Sequence, residues 1–194
     1  MKKFIIPVII ISILSIRSAF CQDEIERFSI NPKMGMFNSS TKTDGLVYGI
    51  EIGFKQNKLM YSLDYYRIEE FTLFGPNPSE NYNQMGIMIG DYIGEQYWRM
   101  QYQAGLSLFW GTKRTHLTSP GSGWFGAGTY ETENFFTLGL PVKLGFKFVP
   151  FHFLAIGIDL QANVNLRNSV IMPLISLELG NLRNKISKKQ QHNE

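Results

Sequence analysis

Eight charged residues recur where strand-like stretches of this sequence turn their polar side: Lys33, Glu51, Asp64, Arg99, Lys143, Lys147, Asp159 and Glu178. Four bases and four acids in one confined interior neutralise one another, so their first expected role is a paired, hydrogen-bonded core. The functional alternative is a narrow polar path or a proton relay. A second group could do nucleophilic chemistry. His116 stands near Thr118 and Ser119, with Glu131 and Glu133 later in the same connection. A His beside a hydroxyl becomes an acyl-transfer site only when geometry adds an orienting carboxylate; otherwise it is a solvated loop residue. His152 falls in a tight turn and His192 in the C-terminal tail, where solvation is the simpler reading. Pro120 to Gly128 is glycine-rich and presents Trp124 and Phe125. It lacks the Gly-Lys-Ser/Thr of a phosphate cradle and joins two strands, so it reads as a mobile loop or as an aromatic contact for a partner or for headgroups. With three His and one Cys, no metal or cofactor site is expected.

These residues need elements to hold them, and the chain begins with one that holds nothing. Lys2 and Lys3 precede an apolar run from Phe4 to Ile16, followed by Ser18 and Ala19, the layout of a secretory signal peptide over residues 1–21. The run is too short for a membrane helix, which takes roughly 20 apolar residues. Cleavage after Cys21 leaves a chain without cysteine and without disulfides; lipidation of Cys21 is the rival, opposed by the bulky Phe20 before it. The net charge of +3 is carried by this leader: without Lys2, Lys3 and Arg17, 16 bases face 16 acids. A nucleic-acid partner is therefore not expected. The four bases Arg183, Lys185, Lys188 and Lys189 sit in a polar tail over 181–194, which leaves residues 22–180 as the folded domain.

Within 22–180 the recurring pattern is alternation, not a 3.6-residue period. From Leu154 to Leu166, Leu, Ile, Ala and Val alternate with Gly, Asp, Gln and Asn; 136–148 and 97–111 repeat the pattern. Weaker versions at 29–37, 46–55, 58–67, 83–93 and 169–180 bring the expected strands to eight. Three tight turns are predicted, at Gln56-Asn57, Gly94-Glu95 and Pro150-Phe151-His152, setting Phe54 opposite Leu59, Ile89 opposite Met100 and Phe148 opposite Leu154. The last of these registers places Lys143 opposite Asp159. Longer connections at 38–45, 68–82 and 112–132 and a short one at 167–168 fall at the other end. An even strand number with tight turns at one end and longer loops at the other predicts an all-β, eight-stranded antiparallel up-and-down transmembrane β-barrel.

Alternation alone also suits a secreted, lipocalin-like barrel holding an apolar ligand. The strand lengths match the 9–11 tilted residues that cross a bilayer, the apolar faces carry no charge, and they end in aromatics such as Trp98, Trp110, Phe136 and Phe148. The spacing of all eight strands, with Phe135 to Gly180 as its clearest part, resembles the small outer-membrane barrels of the OmpA and OmpX type, including PorT-like barrels. That resemblance implies an outer-membrane location, contact with outer-membrane lipid and with the barrel assembly machinery, a monomer, and a structural or surface-interaction role through the loops, notably 113–131, toward a protein or glycan. It also keeps open a lipid A-modifying enzyme. Such barrels commonly end in an aromatic residue; this last strand ends Leu177-Glu178-Leu179-Gly180 and a polar tail follows.

Overall fold

The computed structural model describes residues 27–56, 59–71, 76–94, 97–120 and 128–182. The expected leader over 1–21 with Cys21, and residues 183–194 of the expected tail, lie outside them, as do Trp124 and Phe125. Eight strands follow in order: β1 (Arg27–Ser39), β2 (Asp44–Gln56), β3 (Leu59–Glu70), β4 (Asn81–Ile93), β5 (Trp98–Ser119), β6 (Thr129–Phe151), β7 (Leu154–Asn165) and β8 (Val170–Gly180). Each pairs antiparallel with its chain neighbour, and β1 pairs with β8 to close the barrel. Closure leaves no open sheet edge around the wall, a condition for placing strands in hydrocarbon.

Burial alternates along every wall strand, and the apolar side is the outer one. Ile87, Leu106, Leu138 and Ile158 are each about two-thirds exposed, whereas Lys143, Lys147, Asp159 and Gln161 are 0% exposed. A soluble calyx requires the reverse, a water-bearing outside and an apolar hollow, so the lipocalin-like alternative fails on the direction of its faces. Aromatics collect near the tight turns: Trp98 lies over Phe148 with centroids 4.6 Å apart, Phe54 stacks on Tyr61 at 5.2 Å, and Phe151 on Phe153 at 5.6 Å. Trp110 faces Phe136 at the other end of the band.

The expected registers slip, always by an even number of residues. Phe54 faces Tyr61 and not Leu59, Ile89 faces Ala104 and not Met100, and Phe148 faces Ile156 and not Leu154. Even slips keep each side chain on its own face, so the apolar pattern could not detect them. Glycine could have. Gly145 lies opposite Asp159, and a Cβ there would sit 2.3 Å from Asp159 Oδ1; Gly86 lies opposite Asp64 with 2.8 Å to its Oδ1. Lumen carboxylates thus fill the space their glycine partners leave. Lys143 is opposite Gln161, which removes the expected Lys143–Asp159 pairing.

The connection expected over 112–132 is also mostly strand. β4 begins opposite Thr112 and β7 ends opposite Gly139, yet β5 and β6 continue to a final pair, Ser119 with Thr129. This two-stranded ribbon is rich in Thr, which favours strand, but it has no apolar face for alternation to reveal. Register shifts between Arg114 and Ser119 bend it.

Candidate functional site: the sealed, charged lumen

All eight charged residues singled out by the sequence point inward and are buried. Seven join into one ladder that climbs from the end with the tight turns. Arg99 donates to Glu178, which also takes Lys147 Nζ at 3.0 Å. Lys147 lies 3.9 Å from Asp159, Asp159 Oδ2 is 2.6 Å from Lys33 Nζ, Lys33 reaches Glu51 Oε2 at 2.8 Å, and Glu51 receives Lys143 at 2.6 Å. Signs alternate at every step, so each interior carboxylate is shared by two cations and the desolvation of each charge is offset from two sides. Lys143 is therefore tied to Glu51, and Asp159 to Lys33 and Lys147.

Asp64 stands apart. It faces Glu51 across β2 and β3, and its two oxygens accept from the amides of Gln84 and Gln161, each at 3.3 Å. Above it an amide layer continues, with Asn163 Nδ2 donating to Gln84 Oε1 and to Ser107 Oγ, both at 2.8 Å.

Both ends of this polar interior are closed by apolar side chains. Toward the end with the longer connections, Phe37, Val47, Tyr66, Ile68, Tyr82, Phe109, Phe135, Val170, Met172 and Leu174 form one buried cluster. Tyr82 is its hub, 5.6 Å from Phe109, 5.8 Å from Phe135 and 6.2 Å from Phe37 between ring centroids. At the tight-turn end the chain turns under the barrel after β8. Asn181 N–H donates to Phe28 at 2.9 Å and Leu182 N–H to His152 at 2.8 Å, which buries Leu182 against Val149 and Ala155. Neither cap was expected from the sequence. The apolar inward residues share the parity of the charged ones and were hidden by it, and Leu182 was counted with the tail.

Over the outer cap sits a polar clasp. Buried Glu80 accepts from Tyr82 Oη, from Thr43 Oγ1 at 2.6 Å and from the Arg114 N–H at 2.8 Å. The Arg114 guanidinium grips Glu70 with two nitrogens, one of them at 2.6 Å from Oε1. The hydrogen bond to that carboxylate is the main reason the Arg114 pKa lies above its ordinary value. His116, Thr118 and Ser119 are exposed on the ribbon, and among the described residues His116 has no hydrogen bond to a hydroxyl or carboxylate. Glu133 instead faces Lys113 at 3.5 Å and Arg167 at 3.9 Å.

No family model and no curated protein sequence matches the chain. Solved structures do. Neisserial surface protein A (NspA) superposes with a TM-score of 0.57 at 15% identity, over 79% of this chain and 95% of its own. The N-terminal β-barrel domain of Pseudomonas aeruginosa OprF gives 0.54 at 14%, over 82% and 99%. Ail, the attachment invasion locus protein of Yersinia pestis, solved with the heparin analogue sucrose octasulfate, gives 0.52 at 12%, over 79% and 97%. The fold of this chain is that of the eight-stranded outer-membrane β-barrels.

Proposed function

We propose that the chain is an integral outer-membrane protein whose barrel is a sealed anchor and whose working part is the β5–β6 ribbon, held outside the membrane for contact with a protein or glycan. The observation that carries this reading is the ribbon itself. Among the described residues, β6 from Tyr130 to Leu138 has β5 as its one strand neighbour, and the bridge at Thr129 is made by Asn77 from the β3–β4 connection. A strand with one open side offers backbone groups to an incoming chain, while Lys113 and Arg167, which flank Glu133, offer cations to a glycan. The clasp of Glu70, Glu80 and Arg114 fixes the ribbon's base to the barrel. A filled, doubly capped lumen supports anchoring over transport, and the solvated setting of His116 supports contact over lipid modification. Delivery would follow the ordinary route of such barrels, with the assembly machinery engaging β8.

The test compares the mature protein with a variant in which residues 115–131 are replaced by a two-residue turn, both folded in lipid nanodiscs. Ail's sulfated ligand makes sulfated glycans the first surface to try, beside extracellular-matrix proteins. Saturable binding that disappears on shortening, with heat-modifiable gel migration retained, supports the reading; binding unchanged by the deletion overturns it.

A further inference from the structure

The apolar outside of the wall stops at different points on different strands. On β3 and β4 the outward positions turn polar before the strands end, at Arg67, Glu69, Asn81 and Asn83. On β7 they stay apolar to the end of the strand and beyond it: Ile156, Ile158, Leu160, Ala162 and Val164 are followed, at the same parity, by Leu166 in the connection to β8. Leu166 is 99% exposed. β8 begins in the same way, with Ile171 outward and exposed.

The connection that presents Leu166 is fixed by its own hydrogen bonds. Asn165 Oδ1 accepts from the N–H groups of Arg167 at 3.0 Å and Asn168 at 2.8 Å, Asn165 Nδ2 donates to the Asn168 carbonyl at 2.9 Å, and the Asn165 N–H donates to Ser169 Oγ at 3.1 Å. An amide that closes its own turn holds the backbone between in one conformation, so Leu166 is displayed and not left to fold back. In water such a display gains nothing; in lipid it removes a whole apolar side chain from water. Length decides which applies. Ile156 stands opposite Phe148, in the aromatic row near the tight turns. From Ile156 to Leu166 is 11 residues, and 9–11 tilted residues cross the hydrocarbon. A hairpin no longer than the crossing ends at the far interface, whereas β5 and β6 run on.

We propose that the β7–β8 turn is seated in the membrane, with Leu166 buried among the acyl chains of the leaflet at the long-connection end and Arg167 on its aqueous side. The occupant of this patch is bilayer lipid, because Val164 and Ile171 make it continuous with the apolar wall. Arg167 lies 3.9 Å from Glu133, so the seated turn also braces the ribbon from its β6 side, as the Arg114 clasp does from β5. The inference rests on the barrel standing in a membrane, and the experiment separates the two.

The test uses residues 22–194, which contain no cysteine, folded in lipid nanodiscs. Single-cysteine variants carry a nitroxide at Leu166→Cys on the turn, Ile158→Cys on the wall or Thr118→Cys on the ribbon. Power-saturation spectroscopy reads collisions with oxygen, which concentrates in hydrocarbon, and with a neutral nickel chelate, which stays in water. The expected oxygen-to-nickel ratio at 166 is several-fold above that at 118 and approaches that at 158. Leu166→Ser lowers the folded-to-unfolded ratio in urea unfolding from lipid vesicles about tenfold, the loss of one leucine side chain transferred out of water. A nickel-accessible label at 166 beside an oxygen-accessible one at 158, or a silent Leu166→Ser, overturns the seated turn while leaving the barrel in its membrane. Nickel access at both 158 and 166 overturns both readings.

Discussion

The middle and the top of the lumen are both closed to water, and they are closed by opposite means. The middle is an ionic ladder in which Glu51 is reached by Lys33 at 2.8 Å and by Lys143 at 2.6 Å. The top is an apolar cap around Tyr82. Charges buried together demand partners at particular positions, because an unmatched one has no water to turn to. Apolar groups demand volume, and several shapes supply it. The barrel thus uses its charges to fix which strand faces which, and its aromatics to shut the outer end. The order is physically sensible: the ladder lies where the wall passes through lipid, and the cap lies beneath the clasp that carries the ribbon.

Glu51→Leu is the change expected to do most. It leaves two buried ammonium groups short of a counter-charge, and breaking even one buried pair typically costs about 3–5 kcal/mol. A loss of about 5 kcal/mol or failure to fold is expected in urea unfolding from lipid vesicles. Combining it with Lys143→Met should restore roughly half of that loss. If the two changes add without recovery, Lys143 and Glu51 do not act as partners and the ladder must be broken at that rung.

Phe109→Ala comes next. Phe109 is 0% exposed within the cap, so its removal should cost about 3–4 kcal/mol, whereas Phe109→Leu should cost only about 1 kcal/mol. A graded response of that kind is the signature of volume filling. Equal losses from both would show that the cap is as particular as the ladder and would dissolve the contrast between them.

What could be read from the sequence follows the same division. Face assignment was legible, since Leu154 to Asn165 alternates without interruption and an apolar outside tolerates no error. All eight lumen charges were legible for that reason. Their partners were not: moving Asp159 from opposite Lys143 to opposite Gly145 preserves every face, and only the space required by the carboxylate distinguishes the two. The cap escaped because Phe109 shares its parity with Gln101, Gln103 and Ser107, so a strand labelled polar on that side conceals an apolar end. The ribbon escaped because polar, Thr-rich strands leave no hydropathy trace.

Gly145→Ala tests the register at smaller scale. The added methyl would meet Asp159 Oδ1, a side-chain end that the ladder holds in place through Lys33 at 2.6 Å. A loss of about 1–3 kcal/mol is expected, the usual range for overpacking, again by urea unfolding. A silent substitution would mean that Asp159 can swing away, and then the ladder would be looser at that step than its distances imply.

The least effect is expected from an ion pair that looks, by distance alone, like a rung of the ladder. Arg67 Nε is 2.7 Å from Glu69 Oε1, between the 2.6 and 2.8 Å of the two contacts on Glu51, but both side chains are 43% exposed. Water already solvates each charge, so bringing them together recovers little, and holding two long side chains in one arrangement offsets much of that. Arg67→Gln should change stability by less than about 0.5 kcal/mol in the same urea assay. The comparison is sharpened by salt: at 1 M the Debye length falls to about 3 Å, which erases what the exposed pair contributes while leaving the Glu51→Leu loss nearly unchanged. A salt-sensitive ladder would mean that water reaches Glu51, and that the caps formed around Tyr82 and Leu182 do not seal the lumen they bound.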